Sequence, residues 1–198
     1  LVGINVEELV CSGIASSYAV LTDTEKELGA ILVDIGGETT DVIIYVDGAV
    51  AYSSVIPVGA RHITSDLAVG LRVSLESAEK IKLFLGRQTK QPILPEGAEK
   101  EDEKRGLLKV KEELLDVKSL GITEDIQKIS KKAVIDSIIR PRVREIFELI
   151  VKEVKKSGFG AQTPSGLIIC GCGCMTVGLL DQAKYVLGYP ARIGRIEG

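Results

Sequence analysis

The chain has 198 residues, of which 45% are hydrophobic and only 4% aromatic, so its core must consist of aliphatic side chains, as is common in α/β proteins. A formal net charge of −3 and a pI near 5.4 argue against nucleic-acid binding, which needs a clustered basic excess. No apolar run is as long as a membrane-spanning helix and no signal peptide opens the chain, so we expect a cytosolic protein.

The first part of the chain predicts a short helix over residues 13–21, followed by three strands. The uninterrupted apolar run at 30–35 is typical of a strand that is covered on both faces. Residues 41–46 and 49–58 supply the next two strands, and Asp47-Gly48 between them is a tight hairpin signal. Together these strands predict an antiparallel meander.

A helical region and a charged insertion follow the meander. Residues 64–85 carry apolar side chains at helical spacing, with a break permitted at Gly70 and at Ser74, which is a typical N-cap. Gly86 is expected to end the helix. Residues 87–129 contain prolines and a run of charges, so we interpret them as an exposed, small α+β subdomain inserted between residues 1–86 and 130–198.

The last part of the chain predicts a long helix from its cap, Ser130, to residue 156. Pro141 removes a backbone donor inside this helix, so we expect a kink or break near Ile139. Gly158 should end the helix. A buried strand over 166–170 and a final helix over 179–187 complete the prediction.

The turn after the first strand contains Asp34, Gly36, Gly37, Thr39 and Thr40. Because glycine has no Cβ, the backbone can adopt a positive φ and direct successive amide groups onto one anion. The threonines add hydroxyl donors, and Asp34 can hold Mg²⁺ through water. These residues predict a phosphate-binding turn, and the alternative is a hairpin in which the glycines only make the turn.

The late cysteines Cys170, Cys172 and Cys174 alternate with glycines, which in an extended strand places the thiols on one face. Structural zinc sites use wider gaps and a second ligand pair, and His62 is the only histidine. We therefore favour buried, reduced thiols over a metal site. His62 is interpreted as a surface or interdomain residue rather than a catalytic base.

Several sequence motifs carry a resemblance to a known family: Asp-Ile-Gly-Gly-Glu-Thr-Thr-Asp at 34–41, Ile-Pro-Val-Gly at 56–59, Arg-Pro-Arg-Val-Arg-Glu at 140–145, Ile-Cys-Gly-Cys-Gly-Cys-Met at 169–175 and Ala-Arg-Ile-Gly at 191–194. They resemble the actin, sugar kinase and heat-shock chaperone superfamily and, within it, the bacterial cell-division FtsA family. The resemblance implies an actin-like, ribonuclease H-like α/β fold with a mixed sheet flanked by helices.

The resemblance also implies a site for ATP and Mg²⁺ and no catalytic residue. The Asp34 turn would hold the terminal phosphates and magnesium-bound water, and Glu79 with Lys82 would bond ribose and adenine, although an ordinary surface ion pair is the alternative for them. The implied nucleotide-binding residues are Asp34, Gly36, Gly37, Glu38, Thr39, Thr40, Gly59, Glu79, Lys82, Gly171, Cys172, Gly173 and Met175.

The chain departs from the family pattern at two of these positions. Glu38 replaces a small residue and is expected to repel phosphate by about 1 to 4 kcal/mol at 4 Å, depending on exposure. Cys172 replaces a glycine of the adenosine loop and adds a Cβ there. The superfamily's earlier phosphate loop, from an N-terminal half, is not among these residues.

By this resemblance, the longer protein binds ATP, polymerises, and tethers the tubulin-like division protein FtsZ to the cytoplasmic side of the cell membrane. FtsZ would contact residues 87–129, and the membrane-binding tail of the family would follow Gly198. At most a weak ATPase is expected. The alternatives are a phosphotransferase or kinase, or an ATP-binding adaptor of the pilus-assembly or ethanolamine-utilisation type, because one fold serves many functions.

Overall fold

A five-stranded mixed sheet organises the computed structural model of the protein, which describes residues 3, 5–88, 114–115, 117–124 and 130–196. The strands lie in the order β3-β2-β1-β4-β5, with bounds β1 Ala30–Ile35, β2 Thr40–Val46, β3 Ala49–Ile56, β4 Leu167–Cys170 and β5 Ala191–Ile193. The β1-β2-β3 meander is antiparallel, as predicted. β4 and β5 add to it in parallel, and their pairing places β4 beside β1.

Helices cover both faces of the sheet. Their bounds are α1 Ser12–Val20, α2 Asp23–Leu28, α3 Ala60–Leu71, α4 Leu75–Gln88, α5 Lys131–Val134, α6 Arg140–Ser157 and α7 Leu179–Leu187, with a π-helical turn at Ile135–Ile139 and 3₁₀ turns at Lys118–Leu120, Gly160–Gln162 and Cys172–Met175. Along β1, Ile31, Val33 and Ile35 face the larger apolar core with residues of α3, α4, α6 and α7. Ala30 and Leu32 face the smaller core beneath α1. This alternation explains why the sequence of β1 is uninterruptedly apolar.

The predicted helix over 64–85 is two helices, and its predicted end is wrong. Ser74 caps α4 as expected, because its Oγ accepts a hydrogen bond of 3.2 Å from the Ser77 amide. Gly86, however, lies inside α4. An ideal Cβ at Gly86 would lie 2.4 Å from the Met175 carbonyl oxygen, so this glycine permits close packing of the helix on the 3₁₀ turn at Cys172–Met175.

The long helix after Ser130 breaks where Pro141 predicts it. Ser130 Oγ accepts a 3.0 Å hydrogen bond from the Ala133 amide and so caps α5. The π-helical turn ends at Ile139, two residues before Pro141. This turn locally widens the helix near the point where the proline cannot donate a backbone hydrogen bond. Gly158 ends α6 in the left-handed conformation, with φ of 77°.

The predicted inserted subdomain lies largely outside the described residues. Within residues 87–129, the structure describes 87–88, 114–115 and 117–124. Glu124 accepts hydrogen bonds from the Ser74 amide (3.1 Å) and the Ser77 hydroxyl (2.8 Å). This part of the predicted insertion therefore contacts the N-terminus of α4.

Candidate functional site

Two glycine-containing turns meet at one end of the sheet. β1 and β4 are adjacent and parallel, with Asp34 paired to Cys170, so the turns that follow them emerge side by side. We call residues 36–39 the first turn and residues 171–175 the second turn. An ideal Cβ on Gly171 would lie 2.3 Å from Asp34 Oδ1, and one on Gly173 would lie 2.5 Å from Ile35 Cγ2. Only glycine allows the second turn to approach β1 this closely.

The first turn presents unused amide groups. The Gly36 amide donates to the Thr39 carbonyl (2.9 Å), and the carbonyls of Gly36 and Gly37 accept from the first amides of α3, at 2.9 and 2.7 Å. Within the described part of the chain, the amides of Gly37, Glu38 and Thr39 donate to no acceptor. Neither glycine has a positive φ, which corrects the expected reason for their presence. The turn nevertheless exposes successive donors, as an anion-binding site requires.

The second turn adds further donors. Gly171 has φ of 87°, and its carbonyl accepts from the Cys174 amide (3.2 Å), which starts the 3₁₀ turn. The amides of Cys172 and Gly173, at the start of that turn, have no acceptor in the segments that the structure describes. Together the two turns place backbone N–H groups that have no acceptor among the described residues at the same end of the sheet.

The cysteines do not share one face, contrary to the expectation, because the chain leaves the extended conformation after Cys170. Cys170 is buried, and desolvation with the nearby negative charge of Asp34 raises its pKa to about 12. Cys172 is exposed, which corrects its prediction as buried, and Cys174 is half-buried. Among the described residues, no group of three or more potential metal ligands is assembled.

Asp34 is held by a residue that the sequence analysis did not single out. Ser16 of α1 donates a 2.5 Å hydrogen bond to Asp34 Oδ2, and Ser12, one turn earlier, donates a 2.8 Å bond to Asp41. Asp34 and Asp41 are cross-strand neighbours. The i, i+4 spacing of the two serines is the signal that could have indicated a polar helix face over this edge.

The side chains of Glu38 and Thr39 in the first turn are exposed, whereas that of Thr40, the first residue of β2, is buried. Glu38 points outward and pairs with Arg61 at 2.8 Å, and both side chains are well exposed, so the expected repulsion is offset by a neighbouring cation. Thr39 is exposed. Thr40 is fully buried and donates to the Val58 carbonyl (2.7 Å), which corrects the expectation that both threonine hydroxyls face the ligand.

Glu79 and Lys82 form a partly buried network rather than a surface ion pair. Lys82 is 7% exposed, and its Nζ contacts Glu79 (2.8 Å), Thr64 Oγ1 (2.9 Å) and the Ala60 carbonyl (3.3 Å). Burial raises the pKa of Glu79, but hydrogen bonds from Lys82 and Thr64 outweigh this and hold the pKa below its ordinary value. The network fixes α4 to the start of α3, and Glu79 remains the more accessible member.

The remaining predicted residues lie around the start of α3. Gly59 precedes the helix, and an ideal Cβ there would lie 2.7 Å from the carbonyl oxygens of both Gly36 and Gly37. Its amide donates to His62 Nδ1 (3.1 Å), so the lone histidine caps this helix and is half-buried. Met175, at the end of the second turn, is exposed. The predicted site residues therefore gather around the two turns, α3 and α4.

Comparison with known sequences identifies the family. The sequence model of "Cell division protein FtsA" matches residues 31–197. The chain belongs to the FtsA family. It is 35% identical over 192 residues to the cell division protein FtsA of Borreliella burgdorferi and 35% identical over 193 residues to that of Neisseria meningitidis, covering 97% of this chain in each case. The chain spans 42% of the length of each of these relatives.

Comparison with solved structures identifies the fold as actin-like. The MreB5 protein of Spiroplasma citri bound to ADP superposes with a TM-score of 0.68 at 19% identity, over 92% of this chain and 54% of MreB5. The same protein bound to AMPPNP gives a TM-score of 0.67 at 18% identity, over 92% of this chain and 53% of MreB5. Within the described residues, no helix is both long and apolar enough to cross a bilayer.

Proposed function

We propose that this chain binds ATP with Mg²⁺ as part of an FtsA-family cell-division protein. The observation that carries the proposal is the meeting of two turns whose amides, at Gly37, Glu38, Thr39, Cys172 and Gly173, have no acceptor in the described residues. Such an array suits the terminal phosphates of a nucleotide, which accept several hydrogen bonds at once. An actin-like neighbour bound to ADP and to AMPPNP supports this choice of ligand.

Asp34 is the residue that fits a magnesium ion at this site. Its carboxylate supplies the oxygen ligands that Mg²⁺ prefers, and Ser16 fixes its orientation through one oxygen. Bound Mg²⁺ would neutralise part of the charge of the phosphates. The carboxylate of Asp34 would hold that ion through water, as is usual for magnesium with few protein ligands.

The proposal assigns the base and sugar of the nucleotide to the second turn and to the neighbouring part of α4. Gly171, Cys172, Gly173 and Met175 would lie against the adenosine. Glu79 would bond the ribose, because it keeps a partly exposed carboxylate, whereas Lys82 already contacts three oxygen acceptors and would act mainly by holding Glu79 in place.

The role in cell division follows from the family. Relatives from different bacteria are cell division proteins, and we propose that the protein containing this chain polymerises and tethers FtsZ to the membrane. The contact with FtsZ would fall on residues 87–129 and the neighbouring α4. Membrane association would depend on a tail of the kind that the family carries.

Titration calorimetry with MgATP tests the nucleotide proposal. Asp34→Asn should weaken binding of MgATP more than binding of ATP in EDTA, because the variant loses the ion and not the amides. Asp23→Asn, in the exposed first turn of α2, removes the same charge away from the site and should change neither. Equal binding by all three proteins in both conditions would reject Asp34 as the residue that holds magnesium, and no binding of MgATP by the unmodified chain would reject the nucleotide site.

Capture of purified FtsZ tests the partner separately. Replacement of residues 90–112 by a short Gly/Ser linker should abolish capture and leave MgATP binding unchanged. Unchanged capture would remove this stretch as the docking site. Loss of both properties would indicate that the replacement disturbs the main domain, and a thermal melt of the variant would reveal this.

A further inference from the structure

The thiol groups of the sequence Cys-Gly-Cys-Gly-Cys at 170–174 have no role in the proposed nucleotide site. All three thiols are free. Cys170 is buried at the end of β4, Cys174 is half-buried, and Cys172 is exposed. Because a cysteine must be accessible to react, Cys172 is the thiol that a reagent in solution would meet first.

Cys172 and Cys174 lie within one 3₁₀ turn. The Cys174 amide donates to the Gly171 carbonyl at 3.2 Å. Cα atoms two residues apart in such a turn are about 5 Å apart, inside the range of about 4.4 to 6.8 Å that disulfides bridge. Burial raises the pKa of the Cys174 thiol, and the Cys172 thiol raises it further, which is consistent with two sulfur atoms that lie near each other.

Cys174 fits Cys172 better as a disulfide partner than Cys170 does. Cys170 is also two residues from Cys172, but it pairs with Asp34 of β1 and its side chain packs in the smaller core beneath α1. Cys174 packs against the larger core and follows the end of the paired strand. A disulfide with Cys174 therefore leaves the pairing of β4 with β1 intact.

A disulfide between Cys172 and Cys174 requires the turn to change shape. Side chains two residues apart in a 3₁₀ turn point about 120° apart around its axis, whereas the Cβ atoms of a disulfide lie about 4 Å apart. Gly173 stands between the two cysteines, and glycine adopts new φ and ψ values at little steric cost. The peptide units on both sides of Gly173 would rotate, so the Gly173 N–H group would point in a new direction.

This rotation would affect the binding of a nucleotide. The amides of Cys172 and Gly173 have no acceptor among the described residues, and the proposed function assigns them to the ligand. A turn that no longer presents both donors would lose part of their hydrogen bonding to an anion. This step of the inference rests on the proposed nucleotide site, whereas the disulfide itself does not.

We propose that Cys172 and Cys174 are a redox-sensitive pair, whose reversible disulfide rearranges the second turn and thereby weakens nucleotide binding. The oxidant is hydrogen peroxide. The Cys172 thiolate attacks one oxygen of the peroxide, the O–O bond breaks and hydroxide leaves, so Cys172 becomes a sulfenic acid. The Cys174 thiolate then attacks the Cys172 sulfur, an S–S bond forms, the S–O bond breaks and a second hydroxide leaves.

The two hydroxides take up the two thiol protons. Two thiols and one hydrogen peroxide thus give one disulfide and two waters, and two electrons pass from sulfur to oxygen. Strain makes a disulfide easier to reduce, so we expect a thiol reductant to restore the 3₁₀ turn.

Mass spectrometry and calorimetry of the 198-residue chain test this pair. Cys11→Ser serves as the parent protein, because it removes the other exposed thiol. Hydrogen peroxide should remove two hydrogen atoms from the monomer and weaken MgATP binding about tenfold, as expected for a lost hydrogen bond to a charged group. Dithiothreitol should reverse both changes. MgATP present during the treatment should slow the oxidation, because it would cover Cys172.

Variants of this parent identify the two sulfur atoms. Cys172→Ser should keep both hydrogen atoms and bind MgATP equally before and after treatment. Cys174→Ser should stop at the sulfenic acid, which dimedone traps. Cys170→Ala is the matched control and should form the disulfide as the parent does. An added oxygen that dithiothreitol does not remove belongs to Met175, which is 64% exposed.

The outcomes separate this inference from the nucleotide proposal. Covalent dimers as the only product, or loss of two hydrogen atoms in Cys172→Ser, would overturn the pair. A disulfide that leaves MgATP binding unchanged would overturn its effect on the nucleotide. If the reduced parent binds no MgATP, the nucleotide proposal fails, and the pair is decided by the mass and by nuclear magnetic resonance. The amide signals of Cys172 and Gly173 should then shift on oxidation, and unchanged signals would overturn the rearrangement.

Discussion

The first and second turns use glycine for different reasons. In the second turn, a Cβ on Gly171 or Gly173 would collide with β1, so the packing of the protein itself requires both glycines. In the first turn, a Cβ on Gly37 would enter open space, and its φ is not left-handed. Neither packing nor backbone strain explains Gly37. The ligand contact proposed above would account for this glycine, so the first turn is the better place to test that proposal.

The largest expected effect is on stability, at the second turn. Gly171→Ala places a Cβ 2.3 Å from Asp34 Oδ1 and 2.5 Å from the Ile35 carbonyl oxygen, at φ of 87°. Because backbone atoms cannot move aside easily, we expect a loss of about 3 kcal/mol or more in the free energy of unfolding. Urea denaturation measures this loss. A loss below about 1 kcal/mol would mean that the second turn is not packed against the end of β1.

Gly86→Ala tests the support of the second turn by α4. Alanine inside a helix normally stabilises it by about 1 kcal/mol relative to glycine. Here the new Cβ would lie 2.4 Å from the Met175 carbonyl, so we expect a loss of about 2 kcal/mol instead. Urea denaturation decides the sign. Gly70→Ala, where the Cβ meets the flexible end of the Ile138 side chain, is the matched control and should be milder.

Gly37→Ala should affect binding without reducing stability. The Cβ meets no atom within 4 Å, so we expect the free energy of unfolding to stay the same or to rise by up to about 1 kcal/mol. If phosphate lies against this turn, MgATP binding should weaken about tenfold, which corresponds to ~1.4 kcal/mol. Calorimetry and urea denaturation of one preparation measure both quantities. Unchanged binding would leave the first turn as a plain hairpin.

The sequence predicted the strands that carry the two turns because their signals are local. The meander, the Asp34 turn and the buried strand predicted at 166–170 each follow from short apolar runs next to glycine, whereas the parallel pairing of that strand with β1 comes from the structure. α2 and β5 were not predicted, since α2 is a short polar helix set by the Thr22–Glu25 capping box and β5 has only three residues. The role of Arg61 depends on a contact distant in sequence, so no local pattern indicates it. For Ser16, the spacing from Ser12 could indicate a polar helix face, but its contact with Asp34 is likewise distant in sequence.

The smallest expected effect concerns pH and the network that joins α4 to the start of α3. The pKa of Glu79 is lowered in the folded state, so its contribution to stability is present above its ordinary value of 4.5 and is lost as pH falls through the lower folded-state pKa. Glu79→Gln should therefore reduce stability at pH 7 by about 1 kcal/mol or less, because the carboxylate is partly exposed to solvent. The difference from the unmodified chain should shrink on acidification below 4.5. Urea denaturation at pH 7 and pH 3.5 measures it, with Glu76→Gln, whose side chain is 80% exposed, as the matched control. A difference that grows in acid would contradict the lowered pKa and would separate Glu79 from the network that fixes α4 to the start of α3.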